Sequence, residues 1–254
     1  MLCLTLWVHY KEAKKEYKLI VGELKERLPE MFDTIPEADV EVEMYEDPNK
    51  PSVYNSGSID GSIKPKIKFY LSGIHITKSL KTTVYHEAIP GHHFQFALEM
   101  KNKDIPDFKK IMPFGGYTEG WASYAEILPM EYGFVDNPKD KLQLLYSDLT
   151  SAVNTAIDTG IHYKRWTKSE TEEYIKKHRN PKTQVSYDFF INNPCDQIKY
   201  FVGLVKMREL RKRAEEQLGE KFNIKEFHRV ILKNGRMPLI VLEKQVDDYI
   251  KSKK

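Results

Sequence analysis

Cysteine is nearly absent from this chain, with two among 254 residues. Cys3 and Cys195 stand far apart and match no metal-binding or redox spacing, which argues against a disulfide framework. Long hydrophobic runs are missing as well. The apolar start, MLCLTLWV, is too short to span a bilayer and lacks the basic stretch and cleavage site of a signal peptide. We therefore expect no membrane partner and, by default, a cytoplasmic location.

Neither sign of charge dominates, since 40 Lys and Arg stand against 37 Asp and Glu, for a net charge of +3. The two signs are interspersed, so the composition gives no argument for binding nucleic acid or a membrane surface. Apolar residues, by contrast, make up 41% of the chain, with 12 Phe, 15 Tyr and 3 Trp. That is enough to bury a core.

The hydrophobic pattern divides the chain into three regions of one predicted domain, 1–254. Region 1–35 holds an amphipathic helix over residues 5–30. Region 36–77 predicts a small sheet with a loop, and region 78–254 is helical in period almost throughout. The predicted fold class is mainly α with one small β-sheet or hairpin. Because the first residues resemble the inside of a helix, we expect the chain to be a fragment of a longer protein. The sequence does not indicate an oligomeric state.

Two segments of the middle region are typical of strands. Residues 40–44 alternate apolar and acidic side chains, and residues 67–76, IKFYLSGIHI, are rich in β-branched and aromatic types. Between them, residues 47–66 are rich in Pro, Gly, Ser, Asn and Asp and predict a loop. The second strand could offer an edge to an extended peptide, or it could be plain scaffold.

The most informative segment is YHEAIPGHHFQ, residues 85–95. It begins with His86 and Glu87, as the helical zinc-protease motif does, but that motif places its second His four residues after the first. The next histidines here are His92 and His93. In an unbroken helix, a residue six positions on lies about 120° off the face, and one seven positions on lies roughly 10 Å away. In an unbroken helix, therefore, neither His92 nor His93 could bind a metal together with His86.

A proline changes that geometry. Pro90 has no N–H, and its ring collides with the carbonyl four residues back, while Gly91 can adopt conformations closed to other residues. A bulge that absorbs two residues would place His92 where the fourth-residue ligand belongs, whereas His93 would need three. We therefore predict His92 as the ligand and His93 as its rival. His93 would point about 100° away, toward a carboxylate such as Glu126 or toward substrate.

Acidic residues complete the candidate site. Glu87 occupies the position of the general base in such motifs. Glu119 and Glu126 of TEGWASYAE are seven residues apart and so lie on one helix face. Two His and one Glu with an open position form a recurring catalytic Zn²⁺ set, which predicts ligands His86, His92 and Glu119. The alternatives are a hydrogen-bonded His cluster and a simple N-terminal helix charge at Glu119.

Four separated motifs resemble the bacterial family known as domain of unknown function 885. In chain order they are YHEAIPGHHFQ, TEGWASYAE, DTGIHYKRW and EFHRVILKNGRMPLIVLE. The resemblance extends from about LPEMFDTIP to the end of the chain. It implies a relative of the gluzincin-type zinc metallopeptidases, with His86, His92 and Glu119 as ligands and Glu87 as base. It also implies a further helical region before this one, so that this chain would be the C-terminal catalytic portion.

A further segment, QIKYFVGLVKMREL, resembles the helix of angiotensin-converting enzyme in which a tyrosine of RYFV donates its hydroxyl to the oxyanion. The matching residue is Tyr200, and such a donor contributes about 3–4 kcal/mol to catalysis. The alternative is a core aromatic beside Phe201. Gln197, one turn earlier, is expected to face the same cleft.

Other polar residues are weaker candidates. His162 follows Asp158 by four residues on one helix face, so it could assist a ligand, contact substrate, or form an interior His–Asp pair. Arg208, Arg211 and Arg213 could clamp a substrate carboxylate, or they could simply form a solvated helix face.

These observations together predict a zinc-dependent hydrolase of peptide or related amide bonds. A zinc-activated water attacks the carbonyl, Glu87 is the general base, and Tyr200 stabilises the oxyanion. Two alternatives stay open: a catalytically silent scaffold, and a zinc amidase that acts on small acylated molecules.

Overall fold

The computed structural model describes residues 2–37, 39–47, 50–71, 76–178 and 186–254. The helices are α1 (Leu2–Met31), α2 (Ile76–Glu87), α3 (His92–Lys101), α4 (Asp107–Ile111), α5 (Gly115–Ala125), α6 (Leu128–Glu131), α7 (Pro138–His162), α8 (Lys168–His178), α9 (Tyr187–Asn192), α10 (Ile198–Leu218), α11 (Ile224–Leu232) and α12 (Leu239–Lys253). The strands are β1 (Glu41–Glu46), β2 (Val53–Asn55) and β3 (Lys66–Leu71). The predicted fold class, mainly helical with one small sheet, is confirmed. No helix in the described ranges combines the length and apolarity needed to cross a membrane.

The sheet corrects three expectations. Its order is β1-β3-β2, with β1 parallel and β2 antiparallel to β3. The predicted loop at 47–66 was wrong at β2, because three residues are too few to show a strand period. β3 lies in the centre of the sheet and is not an edge for an added peptide. The predicted strand also ends early, since Ile76 already belongs to α2 and residues 72–75 lie outside the described ranges.

The main core lies between the sheet, α1 and the helices around α5 and α10. On α1, residues at helical spacing are buried: Ala13, Ile20, Leu24, Leu28 and Met31. On β3, the alternate residues Ile67, Phe69 and Leu71 face the same core. The helix expected over 5–30 is thus confirmed. Of the apolar residues whose spacing predicts it, Ile20, Leu24 and Leu28 are buried, whereas Leu19 is exposed.

Glycines set the closest helix contact in the molecule's centre. A Cβ on Gly203 of α10 would lie 2.1 Å from the carbonyl oxygen of Gly116, and one on Gly120 would lie 2.6 Å from the Cα of Gly203. Since real side chains do not approach backbone that closely, only glycine allows α5 and α10 to touch here. This contact brings the first turn of α10 against Glu119 of α5.

A buried histidine ties the end of α1 to this pair of helices. His228 donates its Nδ1 hydrogen to the carbonyl of Met31 at 2.8 Å and accepts a hydrogen bond from the Tyr124 hydroxyl at 2.9 Å. Arg211 in turn donates to that hydroxyl at 3.1 Å. Burial, with the nearby charge of Arg211, lowers the pKa of His228 to about 3, so the ring is neutral near pH 7.

Candidate metal centre

The chain breaks between two helices at the predicted position. α2 ends at Glu87 and α3 begins at His92. Phe94 donates its N–H to the carbonyl of Ala88 at 3.2 Å, six residues back instead of the four of a continuous helix. Two extra residues are therefore accommodated, as the sequence predicts, although they form a turn between helices and not a bulge inside one.

Gly91 allows this turn to fold back on the end of α2. A Cβ there would lie 1.9 Å from the carbonyl oxygen of His86 and 2.4 Å from that of Tyr85. From α5, Trp121 donates its indole N–H to the carbonyl of Pro90 at 3.0 Å. The turn is thus fixed against two helices, and the position of His92 follows from it.

Three side chains converge at this point. Nε2 of His86 lies 3.5 Å, and Nε2 of His92 3.3 Å, from Oε2 of Glu119. One donor atom from each residue lies within 4.8 Å of the other two, and in the described ranges no other group of His, Cys, Asp or Glu residues converges in this way. The side chains predicted as ligands are therefore brought together by three different helices.

Glu126 contacts a different histidine from the one expected. Its Oε1 accepts the Nδ1 hydrogen of His86 at 2.7 Å, and its Oε2 accepts the Ser147 hydroxyl at 3.1 Å. Nδ1 of His93, the histidine expected to pair with Glu126, lies 3.4 Å from the hydroxyl of Tyr54. With Nδ1 bonded to Glu126, Nε2 of His86 is the ring nitrogen that faces Glu119, at 3.5 Å.

Tyr54 of β2 occupies the other side of the two α3 histidines. Its ring centroid lies 5.6 Å from that of His93 and 6.4 Å from that of His92, and its hydroxyl lies 3.4 Å from Nδ1 of His93. Its backbone N–H donates to Glu87. The sequence did not indicate Tyr54, since it stands within the segment predicted as a loop.

Glu87 is buried beside the converging side chains, with 6% of its surface exposed. Its Oε2 has no hydrogen-bond partner. Burial raises its pKa to about 7, with Glu119 and Glu126 adding to the rise and His86 opposing it. A carboxyl with this pKa can both take and release a proton near neutral pH.

The electrostatics of the cluster favour positive charge. Burial alone would lower the pKa of His86, but its hydrogen bonds with Glu119 and Glu126 carry it well above the ordinary value. Burial likewise opposes the charge of Glu119, yet His86 and His92 hold its pKa well below the usual range. Because Glu119 and Glu126 keep His86 protonated, the site has the negative charge that suits a cation.

α10 contributes a tyrosine and a lysine. The ring of Tyr200 lies 6.3 Å from that of His86 at 30°, and burial followed by the nearby carboxylates, Glu119 first, raises the pKa of its hydroxyl. Nζ of Lys199 lies 3.8 Å from Oε1 of Glu119 and 2.8 Å from Oδ1 of Asp196. Tyr200 thus stands at the site, while Lys199 was missed, although it directly precedes the tyrosine selected from the sequence.

The sequence profile of a bacterial protein family of unknown function, DUF885, matches residues 9–246. The chain belongs to this family. Among curated protein sequences, none matches it.

Two solved structures are similar to this DUF885 chain. One is described as the putative lipoprotein from Colwellia psychrerythraea, with 32% identity over 96% of this chain and 43% of its own, at a TM-score of 0.87. The other is a putative lipoprotein of unknown function from Shewanella oneidensis, with 20% identity over 93% of this chain and 45% of its own, at a TM-score of 0.73. The second likeness shows the fold alone. The DUF885 chain spans less than half the length of either relative.

Gln197, expected to face the same cleft as Tyr200, has polar partners on α7 and beside it in the chain. It precedes α10, accepts a hydrogen bond from Asn154 at 2.8 Å and donates to Oδ2 of Asp196 at 2.8 Å. It is connected to Glu119 through Asp196 and Lys199.

His162 and Asp158 have separate partners in this DUF885 chain. His162, at the exposed end of α7, donates its Nε2 hydrogen to the carbonyl of Phe190 at 2.9 Å. Asp158 is buried and accepts the N–H of Cys195 at 3.2 Å. The expected interior His–Asp pair is thus absent from the described contacts. His162 instead fastens α9 to α7, beside a small second core that contains Phe190.

The three arginines of α10 do not form a clamp. Arg208 pairs with Asp148 at 2.7 Å. Arg211 pairs with Glu131 at 2.6 Å, and Arg213 is held by three carboxylates of α10 and α12. Because their guanidinium groups are already paired, these residues connect helices. Only Arg208, at 44% exposed, fits the solvated helix face that was the alternative, since Arg211 and Arg213 are 20% and 26% exposed.

Proposed function

We propose that this chain binds one zinc ion at His86, His92 and Glu119 and hydrolyses peptide or related amide bonds. The observation that carries the proposal is the spacing of the donor atoms. Two donors about 2.0–2.1 Å from a tetrahedral zinc lie roughly 3.3–3.4 Å apart. The two histidine nitrogens lie 3.5 and 3.3 Å from the Glu119 oxygen. A further support is the orientation of His86 by Glu126, the usual arrangement around a metal-binding histidine.

The donor types also fit. Two imidazoles and one carboxylate are the catalytic zinc set of the gluzincin-type peptidases, which the His86–Glu87 pair and the downstream Glu119 resemble. Zinc in such a site activates a water molecule near neutral pH and polarises the carbonyl of the substrate.

The chain's own residues supply the remaining chemistry. Glu87, with its free oxygen and its pKa near 7, takes a proton from the attacking water and passes it to the leaving nitrogen. Tyr200 is protonated, because its pKa is raised, and it donates a hydrogen bond to the oxygen of the attacked carbonyl.

The substrate and location are parts of the same proposal. A general base, a phenol donor and a set of metal ligands together suit the attack of water on an amide carbonyl. Peptides and N-acylated small molecules are therefore the substrate classes. The relative that is 32% identical over 96% of this chain is described as a putative lipoprotein, which favours the location of a lipoprotein over the cytoplasm.

The substitution Glu87→Gln tests the function. Protein made without a His tag is assayed for bound zinc and for hydrolysis of a panel of peptides and N-acyl amino acids. We expect about one zinc per chain in both forms, and a loss of turnover by several orders of magnitude in the variant. Glu12→Gln, the same change on the exposed face of α1, is the control and keeps full activity.

Two results would contradict the proposal. Failure to bind any transition metal at saturating zinc would remove the site. Zinc binding with no turnover on either substrate class would leave a silent metal-binding scaffold. Hydrolysis confined to the N-acyl compounds would instead identify an amidase with the same zinc chemistry.

A further inference from the structure

The two carboxylate oxygens of Glu119 face different groups. Oε2 lies 3.5 and 3.3 Å from the Nε2 atoms of His86 and His92. Oε1 lies 3.8 Å from Nζ of Lys199, on the opposite side. The carboxylate therefore has one oxygen turned toward the metal ligands and one turned toward an ammonium group.

Lys199 is itself held in place. Its Nζ donates to Oδ1 of Asp196 at 2.8 Å, and its stem crosses the start of α5 at Gly115, where a Cβ would lie 3.1 Å from Cδ of the lysine. Oδ2 of Asp196 accepts from Gln197, which in turn accepts from Asn154 of α7. A continuous row of hydrogen bonds thus connects α7 to Lys199, whose ammonium faces Glu119.

We propose that Lys199 is a positioning residue that makes Glu119 a one-oxygen metal ligand. This inference rests on the proposed metal site. A carboxylate can bind a metal through one oxygen or both, and a catalytic zinc site needs an open position beside its three protein ligands. By holding Oε1 away, Lys199 keeps that position from being filled by the second oxygen of Glu119.

Lys199 has two opposing effects on metal binding: it orients Glu119, which favours binding, and its positive charge opposes binding. An ammonium near a metal ion repels it. Asp196, however, lies 2.8 Å from that ammonium, so the pair presents little net charge to the centre. The lysine side chain is also 28% exposed, which screens what is left. Loss of orientation therefore outweighs relief of repulsion, and removal of Lys199 weakens metal binding.

The test compares Lys199→Met with a matched change on the same helix. Lys206 is 25% exposed and pairs with two carboxylates, at 2.8 and 3.4 Å, but stands two turns away from Lys199. Lys206→Met is thus the control. The readouts are the zinc Kd, measured by competition with a chromogenic chelator, and the visible spectrum of the cobalt-substituted protein. Tetrahedral cobalt absorbs visible light more strongly than five-coordinate cobalt.

We expect Lys199→Met to raise the zinc Kd about 10- to 100-fold, as loss of an outer partner of a metal ligand does. Its cobalt band should weaken as the second oxygen binds. Lys199→Arg should restore most of both properties, and Lys206→Met should match the wild type. Asp196→Asn, which leaves the lysine but loosens it, provides a second variant should Lys199→Met fail to fold, and it is expected to shift both readouts the same way.

Several outcomes would overturn the inference. If the wild type binds zinc and Lys199→Met, or Asp196→Asn in its place, binds it equally or more tightly with an unchanged cobalt spectrum, Lys199 does not position Glu119, and the metal site stands without it. If the wild type binds neither zinc nor cobalt, the proposed function itself fails, and this inference fails with it.

Discussion

His86 donates its Nδ1 hydrogen to Oε1 of Glu126 across 2.7 Å, while its Nε2 faces Glu119 at 3.5 Å. One ring thus contacts two glutamates seven residues apart, Glu119 within α5 and Glu126 at its C-terminal cap. The carboxylate of Glu126 fixes a proton on Nδ1. The carboxylate of Glu119 lies where it could bind the same metal ion as Nε2.

Glu126→Gln is expected to weaken zinc binding by about 10- to 100-fold, because a neutral amide orients His86 less firmly than a carboxylate. Competition titration with a chelator measures the change. Ser147→Ala is the control, since Ser147 donates to the other oxygen of Glu126 and its loss leaves the contact with His86 intact. Equal zinc affinity in Glu126→Gln and the wild type would refute the assigned role.

His92→Ala should abolish stoichiometric zinc binding, whereas His93→Ala should keep it. The two residues are adjacent and both buried, so the pair separates the loss of a ligand from the loss of packing. His92 lies 3.3 Å from Glu119, and His93 contacts Tyr54 instead. Metal analysis after dialysis gives the answer, and a reversed result would move the ligand assignment to His93.

Gly91→Ala is expected to destabilise the fold by more than about 2 kcal/mol, since the new Cβ would lie 1.9 Å from the carbonyl oxygen of His86 and backbone cannot move aside cheaply. Denaturant unfolding measures the loss. Gly22→Ala on α1 is the control, because no atom lies within 4 Å of its Cβ and alanine favours the helix by about 1 kcal/mol. Similar stability of the two variants would contradict the tight turn.

The buried His228 predicts how stability depends on pH. Its folded pKa of about 3 lies below the ordinary value of 6.5, so between these pH values the unfolded chain binds a proton that the folded chain does not. The contribution of His228 to the free energy of unfolding is therefore complete above about pH 6.5. It falls as the pH drops toward 3, by roughly 1 kcal/mol per pH unit.

The measurement is chemical denaturation at several pH values in the presence of a chelator, for the wild type and for His228→Gln. The variant is less stable at pH 7, because its contacts with Met31 and Tyr124 are altered. Its stability should nevertheless fall less steeply than that of the wild type below pH 6.5, since carboxylate titration is common to both. Parallel curves would show that His228 does not carry the proton uptake.

Short-range chemistry made part of the site predictable from the sequence. Pro90 and Gly91 dictate that a helix cannot continue past Glu87, and the count of residues then favours His92 over His93. The seven-residue spacing of Glu119 and Glu126 likewise places both on one face of α5. The helix over α1 followed in the same way from its apolar spacing. Each of these inferences depends on neighbours within about two helical turns.

Other features depend on contacts between distant segments. The carboxylate partner of His86 could not be chosen from spacing, because Glu126 stands 40 residues away and its neighbour in space is set by the packing of α2 on α5. β2 has three residues and no period of its own, and it is held as a strand by its pairing with β3. His162 faces α9 and not the cluster, since the direction of a residue at a helix end depends on what packs against that end.

The sequence by itself determined the break between α2 and α3 and the mainly helical class, because proline, glycine and apolar spacing act on the local backbone. The tertiary structure decided which donors meet. The approach of α5 and α10 at Gly120 and Gly203 carries Tyr200 and Lys199 to Glu119, and backbone contact of that kind depends on the absence of side chains on two helices at once.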